Sequence, residues 1–336
     1  MVGTACNECG QDRHNPRSPV LALGGAIPSG RQAIEVTEPD GERQPLVYVV
    51  LLNWNDAPNT LACLHSISAL DYPCFRVLVV DNGSTDGSDR AIHDAFPYVE
   101  FIANRTNLGF AGGANVGLDH ARRQGAAYVF FVNNDTVLDP ALLTELVRVA
   151  QANPRAGLLA PKIYFHHDPH LVWAAGARYA AFPPRVKMIG LGKPDHPRFD
   201  VLRQVEYATG CALLIRGAVL DTVGGFDPIF WPIYHEDYDY CARVVKAGWE
   251  IWYVPAARLW HKDSRSQRGS GTKAFNLGKN IVPFYMRHGR PPRLSLALYV
   301  AWAVLRELVK RNPSFVRPYL SGVQAGLRRH RADIAG

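Results

Sequence analysis

From Leu46 onward the apolar positions alternate between two patterns. Leu46-Val47-Tyr48-Val49-Val50-Leu51-Leu52 is an unbroken apolar run, as found in strands buried on both faces. Thr60 to Leu70 then places Leu61, Leu64, Ile67, Ala69 and Leu70 at helical spacing. Arg76-Val77-Leu78-Val79-Val80 predicts a second buried strand, stopped by Asp81-Asn82-Gly83-Ser84-Thr85-Asp86-Gly87, a cluster of turn-forming residues. Helix, strand and helix patterns follow up to His93, from Val99 to Ala103 and from Gly113 to Arg123. Another buried strand is expected at Ala127-Tyr128-Val129-Phe130-Phe131-Val132, ending in Asn133-Asn134-Asp135. Alternating β and α units imply an α/β fold, with a parallel sheet and helices on both faces.

In such a sheet, ligands bind outside the carboxyl ends of the strands. Three successive strand ends here carry polar motifs: Asn53-Trp54-Asn55, Asp81-Asn82-Gly83-Ser84 and Asn133-Asn134-Asp135. Turn chemistry explains any one of them alone, whereas three on one edge point to a nucleotide-type ligand. The glycines of Asn107-Leu108-Gly109-Phe110-Ala111-Gly112-Gly113-Ala114-Asn115-Val116-Gly117 do not have dinucleotide-fingerprint spacing. They suit either backbone amides offered to phosphate or a helix packed closely on the sheet.

The densest candidate chemistry lies between Gly224 and His261. Glu236, Asp237 and Asp239 follow a loop rich in aromatics, Gly and Pro, and a helical pattern begins at once. A helix dipole favours carboxylates in its first turn and keeps them ionised. An ionised carboxylate beside an aromatic-walled pocket is what a general base requires. The alternative is an ordinary acidic first turn. Asp239 and Arg243, four apart on one helix face, suit a structural pair. Trp231, Tyr234 and Trp249 suit either stacking on sugar faces or the core.

Composition narrows the classes. A chain of 336 residues with 47% hydrophobic and 20% charged residues holds one large or two small domains with a sizeable core. No apolar run approaches the ~20 residues of a membrane-spanning helix; the longest, Leu294 to Leu305, is bracketed by Arg293 and Arg306. Val20 to Ile27 is broken by Gly24 and Gly25, so no signal peptide is expected. Six scattered cysteines suggest no disulfide framework and fit a reducing cytoplasm. Cys6-x-x-Cys9 with His14 offers only part of a zinc site, which needs four ligands. Residues 1–45 therefore read as a flexible extension.

The net charge of +7 is concentrated in one place. From Arg287 to the end, ten Lys and Arg face only Glu307 and Asp333, a net +8, which leaves about −1 for everything before. A basic tail on a near-neutral body argues against a nucleic-acid groove and for contact with an anionic surface. Leu294, Leu298, Ala301, Trp302, Leu305 and Val309 recur at helical spacing beside Arg293, Arg306, Lys310 and Arg311. That pattern fits a helix lying in the interface of an anionic membrane through residues 293–331. It equally fits a stripe packed on the main domain.

With these residues in place, the chain resembles the inverting family 2 glycosyltransferases of GT-A fold, and among them the rhamnosyltransferase-like branch. Four segments carry the resemblance in order: Val49 to Asn55, Val80 to Gly87, Asn107 to Gly117, and Gly224-Gly225-Phe226-Asp227 through His235-Glu236-Asp237-Tyr238-Asp239, Arg243 and Gly248. It implies a Rossmann-like, mostly parallel sheet over residues 46–286, a nucleotide-sugar half (46–140), an acceptor half (141–286) and a basic helical tail (287–336). It also implies transfer of a sugar from a nucleotide-sugar donor to a glycan or lipid-linked acceptor, with dTDP-rhamnose as the donor suggested by the branch. Such work belongs to cell-envelope polysaccharide or glycolipid assembly, in the cytoplasm or on the inner face of the plasma membrane.

The resemblance also assigns roles. Leu52, Asn53 and Asn55 lie near the nucleoside, Asp81 bonds the base, and Gly109, Asn133 and Asn134 complete the donor site. Asp135 and His261 hold Mg²⁺ or Mn²⁺, Asp237 is the general base, and Glu236 positions the acceptor or the base. Two departures stand out. The family's Asp-x-Asp appears as Asn133-Asn134-Asp135, and Ala114 replaces a basic residue common in relatives. A sugar nucleotidylyltransferase is disfavoured because Asn53-Trp54-Asn55-Asp56-Ala57-Pro58 replaces a Gly-rich basic loop. An inactive nucleotide-sugar binder is disfavoured by retention of Asp135, Asp237 and His261 together.

Overall fold

The computed structural model describes residues 44–262 and 271–335; the Cys6-x-x-Cys9 segment and nearly all of the expected N-terminal extension lie outside them. Its first half alternates as the apolar pattern predicts: β1 (Val47–Asn53), α1 (Ala57–Ile67), β2 (Phe75–Asp81), α2 (Ser88–Ala95), β3 (Glu100–Ala103), α3 (Gly109–Arg123) and β4 (Tyr128–Asn133). Strands β3, β2, β1 and β4 lie side by side and parallel. Asn53 is in register with Asp81, and Leu52 with Asn133, so the polar strand ends share one edge.

Strand β1 shows why both faces carry helices. Val47, Val49 and Leu51 pack with Cys63, Leu64 and Ile67 of α1, while Tyr48 and Val50 pack with Ala114, Leu118 and Ala121 of α3. Helix α3 begins at Gly109 rather than Gly113. Gly113 lies against Leu52 and Asn82, and Gly117 against Val50 and Val80, with no room for a side chain at either. Those two glycines serve close helix–sheet packing.

The next stretch comprises β5 (Thr136–Leu138), α4 (Leu142–Ala152), β6 (Ala156–Phe165), β7 (Leu171–Ala174), β8 (Ala177–Ala180), β9 (Arg185–Met188), β10 (Lys193–Pro194) and β11 (Arg203–Val205). Then come β12 (Ala212–Arg216), α5 (Gly217–Thr222), α6 (Glu236–Lys246) and β13 (Glu250–His261). Strand β12 inserts antiparallel between β4 and β6, and β13 runs parallel to β6 while also pairing with β5 and β11. The sheet is thus parallel across β3, β2, β1 and β4 and mixed beyond them, and β8–β9 form a separate hairpin.

Helices α7 (Gly271–His288), α8 (Pro292–Val309) and α9 (Pro313–Ala335) complete the described chain. Ala274, Ile281, Phe284, Leu296, Ala303 and Tyr319 form their core, joined by Phe230 from the loop before α6. Among the described residues, no helix is long and apolar enough to cross a membrane. The apolar stripe expected on the tail is divided. Trp302 turns toward the protein, with the Arg185 guanidinium 4.5 Å from its ring centre, a favourable cation–π arrangement. Leu294, Leu305 and Val309 stay exposed and are joined by Leu308.

Candidate active site

The carboxyl ends of β1 and β4 open into a cavity of about 680 Å³. Leu52, Asn133, Asn134 and Asp135 form its sheet-side wall, and Asn82, Asn107, Gly109 and Phe110 line the entry to α3. Trp231, Pro232 and Ile233 come from the loop before α6, and Thr272, Lys273 and Asn276 from α7. The volume is that of a drug- or nucleotide-sized ligand site. Gly109 (φ 74°) needs its missing side chain because a Cβ there would meet Trp231 and Pro232.

Asn53, Asn55 and Asp81 do not line this cavity; they brace its edge. Asn53 Nδ2 donates to Asp81 Oδ1 at 2.7 Å, and Thr60 Oγ1 donates to Asn53 Oδ1 at 2.7 Å. The Ser84 amide and hydroxyl donate to Asp81 at 2.9 and 2.6 Å. Asn55, in the left-handed region at φ 51°, accepts from the Thr85 amide at 2.8 Å. Asn82 uses its whole amide: Nδ2 donates to Asn107 Oδ1 and the Gly109 carbonyl, and Oδ1 accepts from Asn104 Nδ2 and the Leu108 amide, all at 3.1 Å. Asn134 Nδ2 donates to Thr60 Oγ1 at 2.9 Å.

At one end of the cavity Asp135 Oδ1 and His261 Nε2 lie 3.1 Å apart, both buried. Burial alone lowers the His261 pKa; the adjacent Cys211 sulfur and Asp135 carboxylate outweigh it and push it up to about 11. The ring thus holds a proton against Asp135, which a metal bound here would have to displace. One carboxylate and one imidazole facing each other at a cavity wall fit a divalent cation that takes its other ligands from phosphate and water. Among the described residues no group of three or more His, Cys, Asp or Glu is arranged to hold a metal ion by itself.

The loop before α6 is held in a costly shape. Tyr234 and His235 both adopt the left-handed region, at φ 88° and 74°, which costs roughly 1–3 kcal/mol per residue. Asn280 of α7 holds it by donating to the carbonyls of Phe230 and Ile233. Asp237 Oδ2 then accepts from the Gly210 amide at 3.0 Å, and Oδ1 from the Tyr238 amide at 2.8 Å. Burial raises the Asp237 pKa to about 6 against the pull of those amides. Glu236 is raised well above the usual carboxylate range, first by burial and then by the Asp237 charge, and its Oε2 has no partner.

The helix position alone suggests that both acids stay ionised. Desolvation outweighs the dipole here and pushes both carboxyls up, with the Asp237 charge adding to burial at Glu236. Asp237 does not line the cavity directly. A Cβ at Gly210 would lie 3.2 Å from Asp237 Cβ and 3.6 Å from the Phe110 ring, so the bare glycine keeps the space between base and cavity clear.

Asp239, in the same turn, is tied down instead. Arg243 Nε reaches it at 2.7 Å, His288 Nε2 at 2.9 Å and Arg287 at 3.3 Å, which makes the expected Asp239–Arg243 pair part of a larger brace. Gly225 packs directly on Asn115, whose amide bonds the Phe226 backbone in both directions at 2.7 and 2.9 Å. The α7 contribution of Thr272, Lys273 and Asn276 had no local signal, because nothing in their own stretch resembles a binding motif.

The family model described as "Glycosyl transferase family 2" matches residues 48–218. An N-acetylglucosaminyl-diphospho-decaprenol L-rhamnosyltransferase of Mycobacterium tuberculosis is 31% identical over 306 residues, spanning 84% of this chain and 94% of its own. A pre-mycofactocin glycosyltransferase of the same organism is 29% identical, over 80% of this chain and 54% of its own. Among solved structures, the mannosyltransferase PcManGT from Pyrobaculum calidifontis, in complex with GDP-Man and Mn2+, is similar with a TM-score of 0.53 at 19% identity, over 87% of this chain and 77% of its own. S. aureus TarS 1-349 has a TM-score of 0.53 at 15% identity, over 84% and 81%. At such identities the structural likeness carries the fold alone.

Proposed function

Since the chain belongs to glycosyltransferase family 2, we propose that it transfers rhamnose from dTDP-rhamnose, with inversion, to a hydroxyl of a lipid-linked glycan in cell-envelope assembly. The observation that carries the reading is Asp237: a carboxylate with a pKa of about 6, fixed by two backbone amides, in the first turn of the helix whose preceding loop walls the nucleotide-sized cavity. The mycobacterial relative, named for L-rhamnosyl transfer to N-acetylglucosaminyl-diphospho-decaprenol, supports both the donor and the acceptor class.

In this reading the donor lies between the strand ends and the Trp231–Ile233 wall. The acceptor oxygen forms a bond to the anomeric carbon as the bond from that carbon to the diphosphate oxygen breaks, and the diphosphate leaves with the electron pair. Asp237 takes the acceptor proton, and one displacement inverts the centre. Glu236 positions the acceptor or the base. Asp135 and His261 hold Mg²⁺ or Mn²⁺; the PcManGT complex with Mn2+ supports a divalent ion. When bound, that ion stabilises charge on the departing nucleoside diphosphate. The basic segment 293–331 keeps the enzyme on the inner face of an anionic membrane.

The test is a panel of dTDP-, UDP- and GDP-sugars with Mn²⁺ or Mg²⁺ and a short-alkyl N-acetylglucosaminyl diphosphate as acceptor. Transfer from dTDP-rhamnose, with the product's anomeric configuration read by NMR, is expected. Transfer only from another donor removes rhamnose, retained configuration removes the inverting step, and activity unchanged by EDTA removes the metal.

A further inference from the structure

The three C-terminal helices do not pack evenly. Gly322 and Gly326 bring α9 against the Phe275 and Lys279 carbonyls of α7, and α8 and α9 touch each other least of the three pairs. Between α8 and α9 a groove of about 910 Å³ stays open, at the upper end of the range for small-molecule sites. Leu296, Val300 and Val304 line one side, and Leu320, Val323 and Leu327 the other.

The groove has a polarity. The connection between α8 and α9 is short, which makes them antiparallel neighbours. Its residues therefore sort into two ends. Arg293 from the start of α8, and His330 and Arg331 from the last turns of α9, form a basic mouth beside Met286; Leu305, Leu308 and Leu320 form the apolar far end. Next to the groove, the bundle is tied to the segment before α6: Arg329 of α9 donates to the Ile229 carbonyl at 2.8 Å, and Arg287 of α7 pairs with Asp227 at 2.7 Å. Along α7, Asn276 in the donor cavity and Met286 in the groove are separated by roughly 15 Å at 1.5 Å per residue.

We propose that this groove binds the isoprenoid chain of the lipid-linked acceptor, with the acceptor's phosphates at the Arg293–Arg331 mouth. An apolar channel with one cationic end complements a molecule with an apolar tail and an anionic head. The chain is thereby drawn out of the bilayer and its head is presented toward the loop that carries Asp237. The inference rests on the lipid-linked acceptor class proposed above. It differs from simple adsorption to a membrane in requiring the interior of the groove and not only its exposed rim.

Fluorescently labelled farnesyl diphosphate, titrated into the full-length protein, is the probe. Ala301 lines the groove and is solvent-exposed, so Ala301→Trp fills the channel without entering the core. It is expected to weaken the probe by about tenfold or more, the equivalent of a few buried methylenes; Arg293→Glu weakens it through the mouth. Ala301→Trp keeps wild-type affinity for dTDP and wild-type transfer to the short-alkyl acceptor, whereas Arg293→Glu keeps wild-type affinity for dTDP but raises the KM for that acceptor, whose diphosphate also reaches the mouth. Inorganic diphosphate competes poorly. Wild-type probe affinity in Ala301→Trp, or displacement by inorganic diphosphate as effective as by unlabelled farnesyl diphosphate, overturns the proposal. So does loss of anionic-vesicle pelleting in Ala301→Trp with probe binding intact, which would make the face a bilayer contact only. Failure of the wild type on the short-alkyl acceptor sinks the acceptor reading instead, and the probe result is read independently of it.

Discussion

Asp237 and Asp239 occupy one turn of α6, yet their surroundings act in opposite directions. Asp239 is wholly buried between Arg243, Arg287 and His288. Burial raises its pKa, but the hydrogen bonds from His288 and Arg243 and the Arg243 charge outweigh burial and hold it below the ordinary value. No cation among the described residues pairs with Asp237, which is stabilised by backbone amides and rises to about 6. A buried carboxylate with cations around it is a brace. One without them stays basic near neutrality and is available for proton transfer. The same contrast separates the two sides of the cavity: the strand-edge Asn53, Asp81 and Asn82 spend their hydrogen bonds on each other, while the α6 loop leaves Glu236 Oε2 and His235 Nδ1 without partners.

The largest expected effect tests this division. Asp237→Asn keeps one amide contact and loses the base, so transfer should fall by about 10²–10⁴-fold while dTDP affinity, measured by calorimetry, stays unchanged. Asp239→Ala should do the reverse in kind. It leaves Arg243 and Arg287 without their shared partner and should cost about 3 kcal/mol in urea unfolding. The Asp239 pKa is depressed from 3.8, so this stabilisation is complete above about pH 4 and is lost as the pH falls through the lower folded-state value. If Asp237→Asn destabilises the fold as much as Asp239→Ala, the two acids are both braces and the division fails.

A titration sharpens the contrast. A base with a pKa of about 6 is ionised above that pH, so kcat/KM should be flat above about pH 7 and fall about tenfold per unit below pH 6. The residual activity of Asp237→Asn should show no such limb. An inflection near 4 in the wild-type profile would mean that Asp237 is solvated during turnover.

Much of the nucleotide half was legible because its signals are local. The apolar runs of β1, β2 and β4 are continuous, and the turn residues that end them follow directly in sequence. The acidic cluster at 236–239 was equally visible, but its electrostatics were not: the helix dipole is a local cue, whereas the burial that reverses it comes from the Gly210 turn, β6 and α7, all outside the acidic segment. Thr272, Lys273 and Asn276 reach the cavity for the same reason, through packing of α7 on the α6 loop by Asn280. The periodicity of the tail stripe marks a face without saying which neighbour covers it, and at Trp302 that neighbour is Arg185, more than a hundred residues away.

The smallest expected effect lies on the paired side of the comparison. Asn82 is 2% exposed and makes four hydrogen bonds at 3.1 Å that join the end of β2 to the Asn104–Gly109 loop. Truncation to Ala removes all four and leaves the Leu108 amide and the Gly109 carbonyl to find other partners, at a cost of about 1–2 kcal/mol for a buried polar group. Because Asn107 and Gly109 line the cavity, dTDP affinity should fall a few-fold as well. The pH limb near 6 should be unmoved, since Asp237 is held from Gly210 and Tyr238. Thermal melting, calorimetry and the pH profile on this one variant separate the three statements. A shifted pH limb would show that the strand edge and the α6 loop form one electrostatic unit, and the contrast between brace and base would then have to be drawn elsewhere.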